Sequence, residues 1–455
     1  MKKLALICAA LLGASLMYAQ QAEQYNQYGV KVSVDPLLAE AQDGILVLRS
    51  KDDSGYKIWL DNRVQADAGF FFGEPDYADP ISNGASIRRA RFAVKCQLDK
   101  NWYGEVDMDM ANGIFELKDA IIRFDGIKNS HIQIGNFKEF FSIQRNNSSR
   151  YLQFMERPMI AQALAPSRHI GINYQWANKG WWLSGGVFGQ EIAGSEEREY
   201  VEESSKSYGY DEGVSFTGKA VWQPGWDKTD WGMHVGAAAS YRTPKTSDET
   251  FGKARFSTRN TNSINRRKYI DTGEFGPYDH EFLYTGEFAG YWKGLRWEAV
   301  YMANNTALKD GTSKACSGWY AQAGWLLFGG RQRYDSAGAK FTRVQRGRSW
   351  GDVELCARIE YIDLNCDKAL AANDQKVMGG SAMAYALGLN YYINDHVKFM
   401  LDYQFTDNDR FASGKGNKFY CGVDETGKAV KNPYNTVGKA GVDYSAVTMR
   451  FEIDF

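Results

Sequence analysis

The chain has 455 residues, with 54 Lys and Arg against 55 Asp and Glu and a formal net charge of −1 at pH 7. This balance argues against a basic nucleic-acid-binding protein. Only 9 residues are proline and 14% are aromatic, which excludes collagen-like and disordered chains. No apolar run is long enough for a membrane-spanning helix. Two classes remain: a large soluble β protein and a β-barrel in a membrane.

The N-terminus has the layout of a secretory signal peptide. Two lysines at positions 2 and 3 precede an apolar run over residues 4–16, and the small residue Ala19 ends the segment. We predict a signal peptide over residues 1–19 and an exported mature chain. Residues 20–43 are predicted to form a short N-terminal periplasmic segment, followed by a single barrel domain over residues 44–455.

Five cysteines follow the predicted signal peptide: Cys96, Cys316, Cys356, Cys366 and Cys421. They contain no CxxC pair and no spacing typical of zinc ligation, so we predict no metal site. An odd number leaves at least one thiol unpaired. A disulfide among the last four stays open, because sequence alone cannot pair them.

Alternation with a period of two residues predicts long β-strands with one apolar and one polar face. Between residues 89 and 98, apolar side chains alternate with Arg89, Arg91 and Lys95. The same pattern recurs in four further segments: 102–110, 119–125, 353–361 and 397–405. The chain is therefore predicted to be all-β.

The strand ends and the connections favour a membrane barrel over a soluble sandwich. Trp and Tyr recur near the boundaries of the apolar runs, as in the aromatic girdles of membrane barrels. The chain turns over within a few residues at Asn394 and Asp395, whereas 243–281 and 410–440 are long and polar. Short turns at one end and long loops at the other are typical of a transmembrane antiparallel β-barrel. A secreted β-sandwich remains the soluble alternative.

The last strand is the most specific feature of the sequence. From Tyr444 onward, polar residues alternate with Val447, Met449, Phe451 and Ile453, and the chain ends on Phe455. An amphipathic strand with a free C-terminal aromatic residue resembles the signal that outer-membrane assembly machinery reads. Together with the leader, it predicts location in a bacterial outer membrane.

Nearly the whole mature chain resembles the phosphate-selective porin O and P family. The resemblance rests on six stretches beginning at residues 57, 86, 135, 318, 335 and 387: KIWLDNRVQADAGFF, SIRRARFAVK, GNFKEFFSIQRNNSSRYLQFMERPM, GWYAQAGWLLFG, DSAGAKF and LGLNYYINDHVKFMLDYQF. It implies a barrel of 16 strands, usually a homotrimer, that conducts phosphate, polyphosphate or other anions. The third stretch is, in the family, a loop that folds back into the channel and narrows it.

An anion pathway needs cationic groups that replace water around the ion without trapping it. On the strands, Arg89, Arg91 and Lys95 form a ladder with steps of about 6.6 Å, twice the strand rise. The candidate anion-binding residues are these three together with others on the strands and in the constriction loop: Arg63, Arg88, Lys138, Arg145, Arg150 and Arg157.

Three of these positions carry a specific expectation. Arg145 stands where the family commonly has a lysine at the narrowest point, which keeps the charge but changes the geometry. Arg88 breaks the alternation set by Arg89, so both reach the lumen only at a strand end or a β-bulge. Glu156 and Arg157 are candidates for anchoring the loop to the wall. Lys118 stands where the family can carry an acidic residue.

Other interpretations stay open at this stage. The cations could pair with the carboxylates on neighbouring strands instead of contacting an ion. A porin for sugars or for small solutes in general is the main functional alternative. An outer-membrane enzyme would need an activated nucleophile or water, and none of the five histidines lies in a recognisable catalytic motif. We predict no catalytic residues, no cofactor and no nucleic-acid partner.

Overall fold

The computed structural model describes residues 24–29, 31–32, 37–42, 44–74, 81–192, 198–259, 261–264, 268–366, 377–409, 412–414, 418–420 and 443–455. The predicted signal peptide, Cys421 and most of the loop 410–440 lie outside the described residues. Within the described ranges, no helix has the length and apolar character needed to cross a membrane.

Sixteen antiparallel strands close into one barrel. They are β1 Arg63–Phe72, β2 Gly84–Gln97, β3 Trp102–Asp109, β4 Glu116–Ile127, β5 Ser130–Lys138, β6 Arg168–Asn178, β7 Trp181–Phe188, β8 Ser215–Trp222, β9 Trp231–Arg242, β10 Tyr278–Trp292, β11 Leu295–Leu308, β12 Ser313–Leu326, β13 Asp352–Asn365, β14 Met378–Tyr392, β15 Val397–Asp409 and β16 Tyr444–Asp454. Each pairs with its sequence neighbour, so the predicted fold class and strand number are confirmed.

The first and last strands close the ring. β16 pairs with β1 from Ser445 opposite Phe72 to Asp454 opposite Arg63. Beyond that ladder, the backbone N–H of Asn62 donates to the Phe455 carbonyl at 2.8 Å, and the Phe455 N–H donates to the Asn62 carbonyl at 3.2 Å. The C-terminal residue is therefore part of the closing seam, and its side chain is exposed on the outer face.

A β-bulge resolves the broken alternation around Arg88. Gln65 of β1 pairs with Arg89, and the next residue, Ala66, pairs with Ile87, so Arg88 has no partner opposite. The extra residue turns both arginines toward the lumen, as predicted. A second bulge lies in β4. Asp107 of β3 pairs with Asp119 and the next pair skips Lys118, so that Lys118 and Asp119 both face the lumen.

The two ends of the barrel differ. At the turn end the connections are 98–101, 128–129, 179–180, 223–230, 293–294 and 393–396, with one exception, the long insert 327–351. The loop end has the connections 73–83, 110–115, 139–167, 189–214, 243–277, 309–312, 366–377 and 410–443. The predicted contrast between short turns and long loops holds for most connections. The clearest departures are the insert 327–351 at the turn end and the four-residue connection 309–312 at the loop end.

Short elements complete the architecture. Ahead of β1, strands Leu37–Gln42 and Ile45–Ser50 form a hairpin whose second strand pairs with Lys57–Leu60, which itself pairs with β2. Small strand pairs are Gln24–Tyr25 with Lys31–Val32, Ser257–Thr258 with Ile270–Asp271, Tyr334–Asp335 with Lys340–Phe341, and Ala412–Gly414 with Lys418–Tyr420. The helical segments are Ala111–Gly113, Ile143–Asn146, Ser149–Tyr151, Met159–Ala163, Arg198–Val201 and Glu202–Ser207.

Part of the barrel interior is an apolar core. The loop 139–167, here called the constriction loop, lays Ile143, Ile160 and Leu164 against inward-facing residues of β9 to β14 such as Met302 and Ile362. Residues of the loop 243–277, including Phe256 and Phe275, join the same cluster. The filled side leaves open space mainly beside β1 to β6.

Removal of Phe455 should prevent normal assembly. It deletes the two backbone hydrogen bonds at the seam and the terminal aromatic residue, so we expect the amount of folded protein in the outer membrane to fall sharply. Channels that do assemble should keep their conductance, because Phe455 lies outside the lumen. Heat-modifiability on gels and single-channel recordings measure the two quantities. Phe455→Tyr, which keeps the backbone and an aromatic ring, is the matched control, and normal levels of the truncated chain would contradict the assignment.

Candidate functional site

The open space beside β1 to β5 is a cavity of about 780 Å³ between the wall and the constriction loop. A second cavity of about 550 Å³ lies nearer the turn end. The two share Glu105, Asp119, Lys138, Asn146 and Lys340 as lining residues, so they adjoin. Together they form a polar passage along one side of the barrel.

Cations dominate the larger cavity. Within the described part of the chain, thirteen Lys and Arg residues line it against six acidic residues, Asp61, Glu105, Asp107, Asp109, Glu116 and Asp119. All nine residues proposed from the sequence are among the thirteen. The others are Lys118, Arg168, Arg259 and Lys340. The structure therefore brings the predicted set together at one surface, while leaving open which members meet an ion.

Several strand cations are neutralised by carboxylates. Arg91 contacts Asp107 at 2.8 Å and Asp109 at 3.3 Å. Lys95 contacts Asp61 at 2.5 Å. The contacts of Arg91 are the cross-strand pairs that the sequence left as an alternative to ion contact, whereas Asp61 lies just before β1. For these two residues, the ion pair is already formed.

The bulge residue Arg88 is also paired, through the constriction loop. Its Nε lies 2.5 Å from the carboxylate of Glu156, which Arg450 of β16 also approaches at 3.4 Å. Glu156 thus fastens the loop to the wall, as predicted. The expectation for Arg157 was wrong, because it donates to the carbonyls of Gln144 at 2.6 Å and Asn147 at 3.2 Å and so braces the loop internally.

The three carboxylates Glu105, Asp107 and Asp119 lie close together, with oxygens within 4.8 Å of one another. Each has a cationic partner: Lys95 for Glu105, Arg91 for Asp107 and Arg168 for Asp119. The arrangement is that of a salt-bridge network along the wall.

Five of the lining cations have no carboxylate partner within the described ranges: Arg63, Arg89, Lys138, Arg145 and Arg157. Arg89 donates only to the neutral amide of Gln65, at 2.6 Å. Arg145 donates to the Ala165 carbonyl at 3.0 Å, and its Nε has no partner among the described residues. Burial lowers the pKa of Arg145 to about 10, so its guanidinium stays charged at neutral pH. These five cations line the passage without a carboxylate partner among the described residues.

Wall carboxylates hold the constriction loop by its backbone N–H groups. Ile143 donates to Glu287 of β10 at 2.6 Å and Met155 to Asp402 of β15 at 2.8 Å. Met159 donates to Glu360 of β13 at 2.5 Å. Because buried N–H groups need acceptors, these carboxylates substitute for the sheet partners that the loop lacks.

Wall cations hold the loop carbonyls in the same way. Arg296 donates to the Tyr151 carbonyl at 2.9 Å and Arg450 to the Met155 carbonyl at 2.7 Å. Lys398 donates to the Arg150 carbonyl at 2.7 Å. Arg150 itself contacts Asp61 and Asp454, so this predicted site residue is paired as well.

Sequence reasoning missed the insert 327–351, which enters the barrel from the turn end. The Phe341 N–H donates to Asn147 of the constriction loop at 2.9 Å, and the Ala337 carbonyl accepts from Trp182 at 3.0 Å. The insert places Lys340 at the junction of the two cavities. A signal was available, because a connection this long at the end with short turns is anomalous. Arg259, from the long loop 243–277 at the loop end, was also missed.

The sequence profile of the family described as phosphate-selective porin O and P matches residues 58–418. The chain belongs to this family. The match includes the cation-bearing strands, the constriction loop and the insert. It confirms the prediction of an outer-membrane porin of the phosphate-selective type, since this family consists of channels. By the usual arrangement of such barrels, the turn end faces the periplasm.

Individual proteins and a solved structure are also similar to this chain. Porin O of Pseudomonas aeruginosa is 24% identical over 413 residues, which cover 84% of this chain and 89% of that protein. An uncharacterised protein of Caulobacter vibrioides is 27% identical over 360 residues, 76% of this chain and 67% of that protein. Among solved structures, the trimer form of OmpT of Vibrio cholerae superposes with a TM-score of 0.51 at 9% identity, covering 88% of this chain and all of the other.

Loss of a loop-holding carboxylate should widen the porin channel. Glu287→Ala removes the acceptor for the Ile143 N–H and the partner of Lys219, which lies 2.5 Å from Glu287. Each buried group left without a partner costs about 1–3 kcal/mol, which favours displacement of the loop. We expect assembled barrels with higher single-channel conductance and weaker anion preference.

The matched control is Glu116→Ala. Glu116 lines the larger cavity and pairs with Lys118. Its removal should leave conductance near the wild-type value and slightly increase anion preference. Wild-type conductance in Glu287→Ala would show that this carboxylate does not hold the loop.

Proposed function

We propose that phosphate and related oxyanions diffuse passively through the polar passage, guided by the five cations that have no carboxylate partner. The observation that carries this proposal is their uncompensated charge: Arg63, Arg89, Lys138, Arg145 and Arg157 line the larger cavity, and the other strand cations are largely neutralised. A permeating anion gains most from groups that are not already in an ion pair. No covalent step and no cofactor are part of this mechanism.

The chemistry of the five cations suits an oxyanion. Four are arginines, whose planar guanidinium forms two parallel hydrogen bonds to a phosphate and does not lose its charge. They are distributed between β1, β2 and the constriction loop, so an ion leaving one meets another. Distributed sites of this kind allow transfer without a single trap.

Arg145 is the residue through which we expect selectivity among anions to act. It is in the helical turn Ile143–Asn146 of the constriction loop and is only half-buried. A lysine there would attract any anion as a point charge, whereas the arginine fork favours planar pairs of oxygens. We propose that this chain prefers phosphate or polyphosphate over chloride for that reason.

A sugar-selective channel is less well supported by the lining. Sugar pathways use aromatic side chains as stacking surfaces. Among the described residues no aromatic side chain lines the larger cavity, although Tyr103, Phe137 and Phe140 line the second one. The exposed aromatics instead lie on the outer face of the barrel, where Phe70, Tyr174 and Trp222 are about half exposed. A channel for small solutes in general remains the alternative that the experiments below distinguish.

We also propose that the working unit is a homotrimer. OmpT of Vibrio cholerae, which shares the fold, is known in a trimer form. Light scattering of the purified porin in a mild detergent should give three chains per particle after subtraction of the detergent. A mass of one chain would overturn the trimer without affecting the proposed passage.

Arg145→Ala should weaken phosphate binding in the channel. Hydrogen bonds to charged groups contribute about 1.5–3 kcal/mol, so the phosphate concentration that halves the chloride current should rise about tenfold or more. Reversal potentials under a salt gradient should shift toward zero. Planar-bilayer recordings measure both quantities, and unchanged values would remove Arg145 from the pathway.

Two further variants separate geometry from charge. Arg145→Lys keeps the charge, so it should preserve the reversal potential while losing most of the phosphate block. Lys179→Ala removes one charge from an exposed turn between β6 and β7 that lines neither cavity, and it should behave as wild type. If phosphate blocks the Arg145→Lys channel as strongly as the wild-type channel, the guanidinium geometry is not what selects phosphate.

A further inference from the structure

Two cysteines meet at the loop end of neighbouring strands β12 and β13. The ladder between these strands pairs Ser317 with Asp363. If this register continues, Cys316 stands opposite Leu364, and Cys366 lies two residues further on the same face. Diagonal neighbours of this kind have Cα atoms about 7–8 Å apart, just beyond the usual disulfide range of about 4.4–6.8 Å, so the end of β13 has to move slightly for a bridge to form.

Burial and contact bring the two thiols together. Cys316 is 2% exposed in the apolar core of the barrel, and Cys366 packs against the same core. Cys366 is the neighbouring group with the largest effect on the Cys316 thiol, so the two side chains lie close to each other. Both are free thiols in the structure.

The other described cysteines have different surroundings. Cys356 lies ten residues before Cys366, a distance of about 33 Å along an extended strand, and its sulfur contacts the Asn390 amide at 3.4 Å. Cys96 is on β2, where it pairs with Ile58. Within the described ranges, the pair formed by Cys316 and Cys366 is therefore the one suited to a bridge.

We propose that Cys316 and Cys366 form a disulfide during assembly of the exported chain. Two S–H bonds break and one S–S bond forms, and the two protons and two electrons pass to the disulfide of a periplasmic thiol–disulfide oxidoreductase, which becomes a dithiol. The compartment favours this reaction, because the periplasm is oxidising. The burial of Cys316 places the reaction before the barrel closes around its core.

The bridge stabilises the part of the wall that the loop 243–277 contacts. Cys366 donates its N–H to the Val377 carbonyl at 2.9 Å and so starts the connection to β14. Thr272 of the loop 243–277 lies close to Gly379 at the beginning of β14. That loop also carries Arg259, which lines the passage. The disulfide thus holds the wall against which a cation-bearing loop rests.

A peptide map under non-reducing conditions tests the proposal directly. Each cysteine after the predicted signal peptide falls in its own tryptic peptide: 96–100, 315–331, 349–358, 359–368 and 419–428. The full porin is purified from the outer membrane, alkylated while denatured without reductant, digested and analysed by mass spectrometry. We expect a linked species of 315–331 with 359–368, two hydrogen atoms lighter than the sum of the free peptides, which disappears on reduction.

Two results would overturn the bridge. The first is alkylation of both Cys316 and Cys366 in the unreduced sample. The second is linkage of 359–368 to 419–428, which would assign Cys366 to Cys421. A sample made in cells without the periplasmic thiol oxidase should show both thiols alkylated if the proposed oxidation is correct, and persistence of the linked peptide there would exclude this oxidant.

Serine variants separate the bridge from general packing. Cys366→Ser should leave Cys316 alkylated in every chain, and Cys316→Ser should do the same for Cys366. In the wild type, we expect reductant to lower the temperature at which the barrel unfolds on gels. Both variants should lose this drop. Cys356→Ser is the matched control and should keep the linked peptide and the drop. A drop of equal size in Cys366→Ser would show that reductant acts elsewhere.

Discussion

The structure depends on how the constriction loop satisfies its backbone. Residues 139–167 lie inside the barrel without a sheet partner, and their short helical turns leave many N–H and C=O groups unpaired. The wall supplies the missing partners as charged side chains, with Glu287 and Glu360 accepting and Arg296 donating. Interior carboxylates are thus a requirement of the loop. Their presence in a channel for anions does not conflict with its selectivity.

The same packing decides where the passage lies. One face of the constriction loop is apolar and covers inward-facing residues of β9 to β14, so these strands have apolar residues on both faces near the loop end. Water and ions are left with the wall formed by the first strands, where the cations are concentrated. The barrel therefore combines a packed apolar core on one side with a channel on the other, and the constriction loop separates the two.

Local pattern explains how much of this was predictable. The strands, the short turn at 393–396, the seam strand and even the bulge at Arg88 follow from alternation within a few residues, and the structure agrees with each. The partners of the cations do not follow, because Arg450 meets Asp67 and Arg88 meets Glu156 across large separations in sequence. The insert 327–351 was missed because its place inside the barrel depends on contacts with β6, β7 and the constriction loop. The sequence left the pairing of the cysteines open for the same reason, because the register of β12 and β13 is a tertiary property.

Selectivity in this porin is a matter of charge placement, since the chain as a whole carries almost no net charge. A charge that already has an opposite partner at hydrogen-bonding distance contributes little field to an ion passing a few ångströms away. The ladder of Arg91 and Lys95 is thereby weakened by Asp61, Asp107 and Asp109. Arg89 and Arg145 have no carboxylate partner among the described residues, so in the pathway that we propose they attract the ion with less compensation. The cations that are already paired with carboxylates keep the lumen polar without deepening the energy minimum that an anion would occupy. In the pathway that we propose, an anion thus meets separated attractive points, which is the arrangement that allows both discrimination and rapid release.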